Sequence, residues 1–275
     1  MTLWSRSRLD SYASCPQRFF RDYVRPYAER KQKPKADEAA VGIVTSQFLE
    51  RILPHLVNGE VKTWDECLTK LKSWVKDAHE ADGVLTSTEI EAVWVIEQGK
   101  QLVRRVVKTI QEAKADWWAE RPIWFDENNE PIDPSLDRKA IMRRARLGGD
   151  LDVLAVSGKT GWIWDWKSGR ATPKWAQLED YALYVSWIYP KVETFRLAYM
   201  MLQRGAEGEI VKTVRKDELR EIEDRLLREI REPWEAEKLM ANGALPEAAF
   251  PPTPGQPQCR WCNNPCEKQD GRLEE

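Results

Sequence analysis

Residues 148–169 read "GGDLDVLAVSGKTGWIWDWKSG". Two apolar runs flank the turn-rich stretch "SGKTG" at 157–161, which predicts a β-hairpin. Side chains alternate faces along a strand. Trp162, Trp164 and Trp166 therefore share one face of the second strand, and Ile163, Asp165 and Lys167 the other. On the first strand Asp150, Asp152, Leu154 and Val156 share a face. With the strands side by side, Asp152 and Asp165 converge and Lys167 stands close by. Two converging carboxylates are costly unless a cation lies between them, and oxygen ligands favour Mg²⁺ or Mn²⁺. Such a cation polarises a phosphodiester and lowers the pKa of a bound water, while a neighbouring lysine steadies that water or the developing charge. The expectation is a metal-dependent hydrolytic site backed by tryptophans. A D-x-K triplet on its own is more often an ordinary ion pair, so its surroundings decide.

Working outward, short apolar stretches at 117–125, 146–156, 161–167 and 194–202 predict strands. The run "PKWAQLEDYALYVSWIY" at 173–189 predicts a helix before the last strand. Helical spacing also marks 39–56, 63–80 and 87–115, and a charged helix covers 216–240. "SRSRLDSYASCPQRFFRDYV" at 5–24 reads as two short helices broken near Pro16. The predicted class is α/β, a small mixed central sheet flanked by helices.

Charged residues make up 32% of the 275, yet the net charge is −2, so bulk charge selects no partner. Nucleic-acid affinity would have to come from local basic runs, "DRKAIMRRAR" at 137–146 or "RRVVK" at 104–108. Fourteen tryptophans can build a core or stack on bases. No apolar run is long enough to span a bilayer and the amino terminus has no signal-peptide pattern, so a soluble cytoplasmic protein is expected, in the host cytoplasm if phage-encoded. Three of the five cysteines, Cys259, Cys262 and Cys266, lie together in "CRWCNNPC", a spacing that points to metal rather than disulfides in such a protein. Cys15 and Cys67 stand apart.

"GGDLD" thirteen residues before "DWKSG", with "QLEDY" on the following helix, resembles the PD-(D/E)XK nucleases of the RecB type. The resemblance implies a restriction-endonuclease-like core in which Asp152, Asp165 and the Trp166 carbonyl hold the metal. It makes Lys167 catalytic and has Gln177 and Tyr181 line the site, four apart on one helix face. The family's helical motif G-x-x-x-H-x-x-L-E reads "GIVTSQFLE" here, from Gly42 to Glu50. Glu50 matches its acid. Ser46 stands in the place of the histidine and is a poor metal ligand. The opening segment is similar to that of the family's iron–sulfur members, CRISPR-associated RecB-like nucleases among them. That similarity implies that Cys15 joins Cys259, Cys262 and Cys266 around a [4Fe–4S] cluster, with Zn²⁺ the alternative for four thiolates.

The organisation expected is an amino-terminal segment 1–57 with the first cluster cysteine and first nuclease motif, a helical insertion 58–115, a nuclease core 116–215, and a carboxy-terminal helix and cysteine cluster 216–275 that ties the termini together. The implied activity is a DNA exonuclease on single strands or duplex ends, in recombination, repair, phage DNA processing or CRISPR spacer handling, with a recombination or CRISPR-adaptation protein as partner. The rival reading is a DNA-binding or partner-docking protein of the same fold whose catalysis weakened with the loss of the histidine.

Overall fold

A computed structural model of the chain describes residues 4–24, 37–78, 86–169 and 174–253. Cys259, Cys262 and Cys266 lie outside the described residues. Contacts divide the chain into two compact units, one of residues 33–123 and 150–220, the other of 1–32, 124–149 and 221–275. No described helix is long and apolar enough to cross a membrane.

A five-stranded sheet runs in the order β1 (Asp116–Phe125), β2 (Leu147–Ser157), β3 (Thr160–Lys167), β4 (Thr194–Met201), β5 (Glu209–Arg215). β2 and β3 form the expected hairpin, turning at Gly158 with φ +56, a backbone conformation that glycine adopts without a Cβ penalty. β3 and β4 are parallel and β4 and β5 antiparallel, so the sheet is mixed. The parallel pair requires a crossover, which is α8 (Trp175–Ile188). β5, "EIVKTVR", was not anticipated. Only Val214 of it is buried, and a charged edge strand carries little apolar signal.

The two sheet faces have different partners within the first unit. Val153, Ala155, Trp164, Trp166, Ala198 and Met200 join one apolar cluster with α3 (Asp37–Val57), α4 (Trp64–Ala78), α5 (Ser87–Gln98) and α6 (Lys100–Ala113). Each large apolar side chain buried there contributes about 1.5–3 kcal/mol. α8 packs on β3 and β4, on the face that carries Asp165 and Lys167. The tryptophans of β3 thus anchor the strand from behind, and the helices of 64–113 share their core with the sheet.

Periodicity reads 87–115 as a single helix, but the structure breaks it at Gly99. A Cβ at that position would come within 2.9 Å of Leu202 Cβ and 3.0 Å of Leu202 Cα, in the 3₁₀ turn Leu202–Glu207 that links β4 to β5. Arg105 of α6 adds an ion pair to Glu209 at the start of β5. The break is a packing requirement imposed by a segment a hundred residues away, invisible to local spacing.

In the second unit, α1 (Arg6–Ser14) and α2 (Pro16–Phe19) meet at Cys15, which is buried, and a π turn, Phe20–Val24, follows. Phe19 stacks on Trp4 at 5.4 Å and meets Tyr12 edge-on at 5.6 Å. Phe250, after the short helix α10 (Pro246–Ala249), lies 5.4 Å from Phe20 and 6.0 Å from Phe19. Arg6 pairs with Glu229 of α9 (Leu219–Ala241) at 2.6 Å. The basic run at 137–146 includes α7 (Arg138–Arg144), N-capped by Asp137, whose side chain accepts from the backbone of Lys139 and Ala140.

Gly99→Ala should destabilise the protein by about 1–3 kcal/mol in urea unfolding, the cost of overpacking a closed contact. Pairing it with Leu202→Ala should cost less than the sum of the two single changes.

Candidate metal centre and active site

The β2–β3 ladder ends at Val153 opposite Trp164. One step further along the same register, Asp152 faces Asp165. Leu154 pairs with Ile163, so both acids fall on the face that alternation assigns them. There the ladder gives way to side-chain bonding: the Trp166 N–H donates to Asp152 Oδ2 at 2.7 Å. Asp165 is 4% exposed. Its Oδ1 accepts from Gln177 Nε2 at 3.1 Å, and its Oδ2 faces Lys167 Nζ at 2.5 Å. Gln177 and Tyr181 leave α8 on one face, bonded to each other, and the Tyr181 hydroxyl donates to the Asp150 carbonyl at 3.1 Å. α8 therefore closes over the acids and holds both strands. Asp152, Asp165, Lys167, Gln177 and Tyr181 stand together in one unit.

A family model described as the PD-(D/E)XK nuclease superfamily matches residues 3–265. The chain belongs to the PD-(D/E)XK nuclease superfamily. No curated protein matches it.

Membership brings metal-dependent nuclease chemistry, and the donor set of this superfamily member fits a hard divalent cation. Burial pushes the Asp152 carboxyl well above the ordinary carboxylate range, and the charge of Asp165 pushes it further. Burial raises Asp165 as well, against the opposing pull of Lys167. Asp165 Oδ2 is fully buried and, apart from the Lys167 ion pair, has no hydrogen-bond partner among the described residues. A divalent cation between the two carboxylates would relieve all three costs. The Tyr181 hydroxyl is raised far above its usual range by burial, so it stays a protonated donor.

The motif helix approaches the same strand. A Cβ at Gly42 of α3 would lie 3.1 Å from Ser168 Oγ, directly after Lys167, so the glycine lets α3 reach the end of β3. Ser46, one turn on, is half-buried, and Glu50, a further turn on, is exposed. Among the described residues no group of three or more His, Cys, Asp or Glu side chains converges as a metal set. Of the expected acids, Asp152 and Asp165 face each other, while Glu50 is exposed on α3.

Sequence reasoning missed two residues here, Glu120 and Tyr199. Glu120 of β1 adopts φ +47, a left-handed conformation uncommon away from glycine, and its charge adds to the rise of Asp152. Only the departure from strand geometry marks it, and no sequence pattern announces that. Tyr199 of β4, level with Asp165 in the parallel register, is fully buried behind Lys167. Cys67 sits in the apolar cluster, where burial pushes its thiol up to about 12, which makes it an inert core residue.

Because both acids titrate above the unfolded carboxylate value of about 3.9, their contribution in the metal-free protein is full below that pH and lost as pH rises through the raised folded values. Asp152→Asn should therefore raise the thermal midpoint in chelator at pH 7 by about 2–5 °C, a gain that shrinks toward pH 4. Mn²⁺ should raise the wild-type midpoint and leave that of the variant unmoved, as read by thermal-shift titration.

Proposed function

We propose that the chain is a RecB-like deoxyribonuclease that uses Mg²⁺ or Mn²⁺ to hydrolyse DNA from single strands or duplex ends. The observation that carries the reading is the pair of opposed carboxylates, Asp165 buried and Asp152 half-buried, with Lys167 on the same face, 2.5 Å from Asp165. Asp152 and Asp165 would hold the cation with the Trp166 carbonyl, and Glu50 would reach it from the rim. When bound, the cation supplies Lewis acidity to the phosphodiester and neutralises the charge that builds on it. Lys167 orients the attacking water and offsets that charge. Gln177 fixes the rotamer of Asp165, and Tyr181 keeps the Asp150 end of β2 under α8.

Of the two basic runs, the one in α7 fits a DNA backbone better. Lys139, Arg143 and Arg144 are exposed, and their side chains have no acidic partner among the described residues. The cations of the other run are committed: Arg104 lies over Trp64, Arg105 pairs with Glu209 and Lys108 with Glu112. Phosphates would neutralise the α7 cations.

The cysteines complete the reading. Cys15 is buried between α1 and α2, and the aromatic residues after it pack on Phe250, from which the chain continues to Cys259. This supports a shared [4Fe–4S] cluster of Cys15, Cys259, Cys262 and Cys266, with Zn²⁺ as the alternative occupant. The setting is cytoplasmic, in recombination, repair, phage DNA processing or CRISPR spacer handling, alongside a protein partner of that machinery. A second reading, a DNA-binding protein of weakened catalysis, is favoured by one observation: Ser46 brings no imidazole and no third protein ligand converges among the described residues.

Incubation with end-labelled single-stranded, linear duplex and circular DNA in Mn²⁺ separates the readings. Wild-type protein should degrade the linear forms and spare the circle, and Asp165→Ala and Lys167→Ala should each lose at least about a hundredfold in rate while still binding DNA. Binding without cleavage by the wild type would establish the second reading. Lys167→Ala acting at the wild-type rate would overturn the catalytic assignment.

Protein purified without oxygen should be brown and carry about four irons. Cys15→Ala should bleach it and lower stability as much as Cys262→Ala does, whereas Cys67→Ala should leave iron content unchanged. Colourless protein with one zinc would keep the ligand set and replace the occupant.

A further inference from the structure

Lys167 has one competitor for its partner. Its Nζ pairs with Asp165 Oδ2, the same oxygen that a divalent cation would take. Once that oxygen is taken, the ammonium loses its closest counter-charge just when the reaction needs it in place. The Tyr199 ring also lies beside it. The Lys167 Nζ lies 5.4 Å from the centroid of the Tyr199 ring, within the range of a cation–π contact. That ring is rigidly set. Tyr199 is fully buried, its backbone is paired level with Asp165 in the parallel ladder, and Trp175 packs on it at 5.5 Å. Its hydroxyl donates to the Lys174 carbonyl at 2.6 Å, where α8 begins. The one side chain therefore touches the lysine with its face and the start of the Gln177 helix with its tip.

We propose that Tyr199 is a positioning residue that holds the Lys167 ammonium in place when the metal displaces it from Asp165. The proposal rests on the nuclease reading of Lys167. A ring face is suited to this role because it attracts a cation without offering an oxygen that would compete for the metal or take the ammonium's proton. The hydroxyl has a separate duty, tying the start of α8 to the sheet. The two duties separate on substitution, since phenylalanine keeps the ring and leucine keeps neither.

The test is spectroscopic as well as kinetic. In protein labelled with ¹³C at the lysine ε carbon, the Lys167 resonance is assigned by its disappearance in Lys167→Arg. It should be shifted upfield by the ring, and the shift should persist when Mg²⁺ is added. Tyr199→Leu should abolish the shift, and Tyr199→Phe should retain it. In parallel, Tyr199→Leu should lower kcat about tenfold, equivalent to about 1.4 kcal/mol, with KM and Mn²⁺ affinity by calorimetry within about twofold of wild type. Tyr199→Phe should recover most of the lost kcat. A Lys167 signal without an upfield shift in Mg²⁺, or a Tyr199→Leu protein with wild-type kcat, would overturn the proposal. A persistent shift in a wild-type protein that cleaves nothing would support the ring's hold on the ammonium and count instead against the nuclease reading.

Discussion

The candidate site turns on two carboxylates set opposite each other, Asp165 buried and Asp152 half-buried. Asp152 and Asp165 face one another one step past the last paired residues of a hairpin, with Asp165 4% exposed. Such a pair costs stability unless a cation lies between the carboxylates. The surrounding bonds share the load: the Trp166 N–H on Asp152, Gln177 on one oxygen of Asp165 and Lys167 on the other. None of them neutralises both carboxylates.

The sheet sustains the arrangement by dividing labour between its faces. Trp164 and Trp166 alternate with Asp165 and Lys167, and they sink into an apolar cluster supplied by α3, α4, α5 and α6. The charged face is roofed by α8, which contributes polar groups at the acids and apolar ones further along its length. A strand with apolar residues on both faces would be more stable and would bind nothing. One with charges on both would have no anchor.

The hairpin, its register and the shared face of Asp152, Asp165 and Lys167 were legible because alternation along a strand is a local rule and a two-glycine turn fixes which strands are neighbours. Gln177 and Tyr181 were legible as a one-turn pair, but their role came only from the family resemblance. Other features were hidden for physical reasons. β5 is an edge strand with one buried residue, so it lacks the apolar signal that periodicity detects. The break at Gly99 is dictated by Leu202, and the left-handed backbone of Glu120 lies inside a strand where no glycine marks it. Tyr199 reads as one apolar residue among many in "TFRLAYMM" until the parallel register sets it level with Asp165. Contacts between distant segments leave no mark on local sequence.

The β2–β3 hairpin places both acids and the lysine on one uninterrupted stretch from Asp152 to Lys167. The three groups are thus carried on one short segment, while helices from elsewhere in the chain contribute the roof and the backing. A change in those surroundings can reshape the approach to the three groups without disturbing their spacing. A superfamily built this way can diversify its substrates by exchanging the setting and leaving the stone in place.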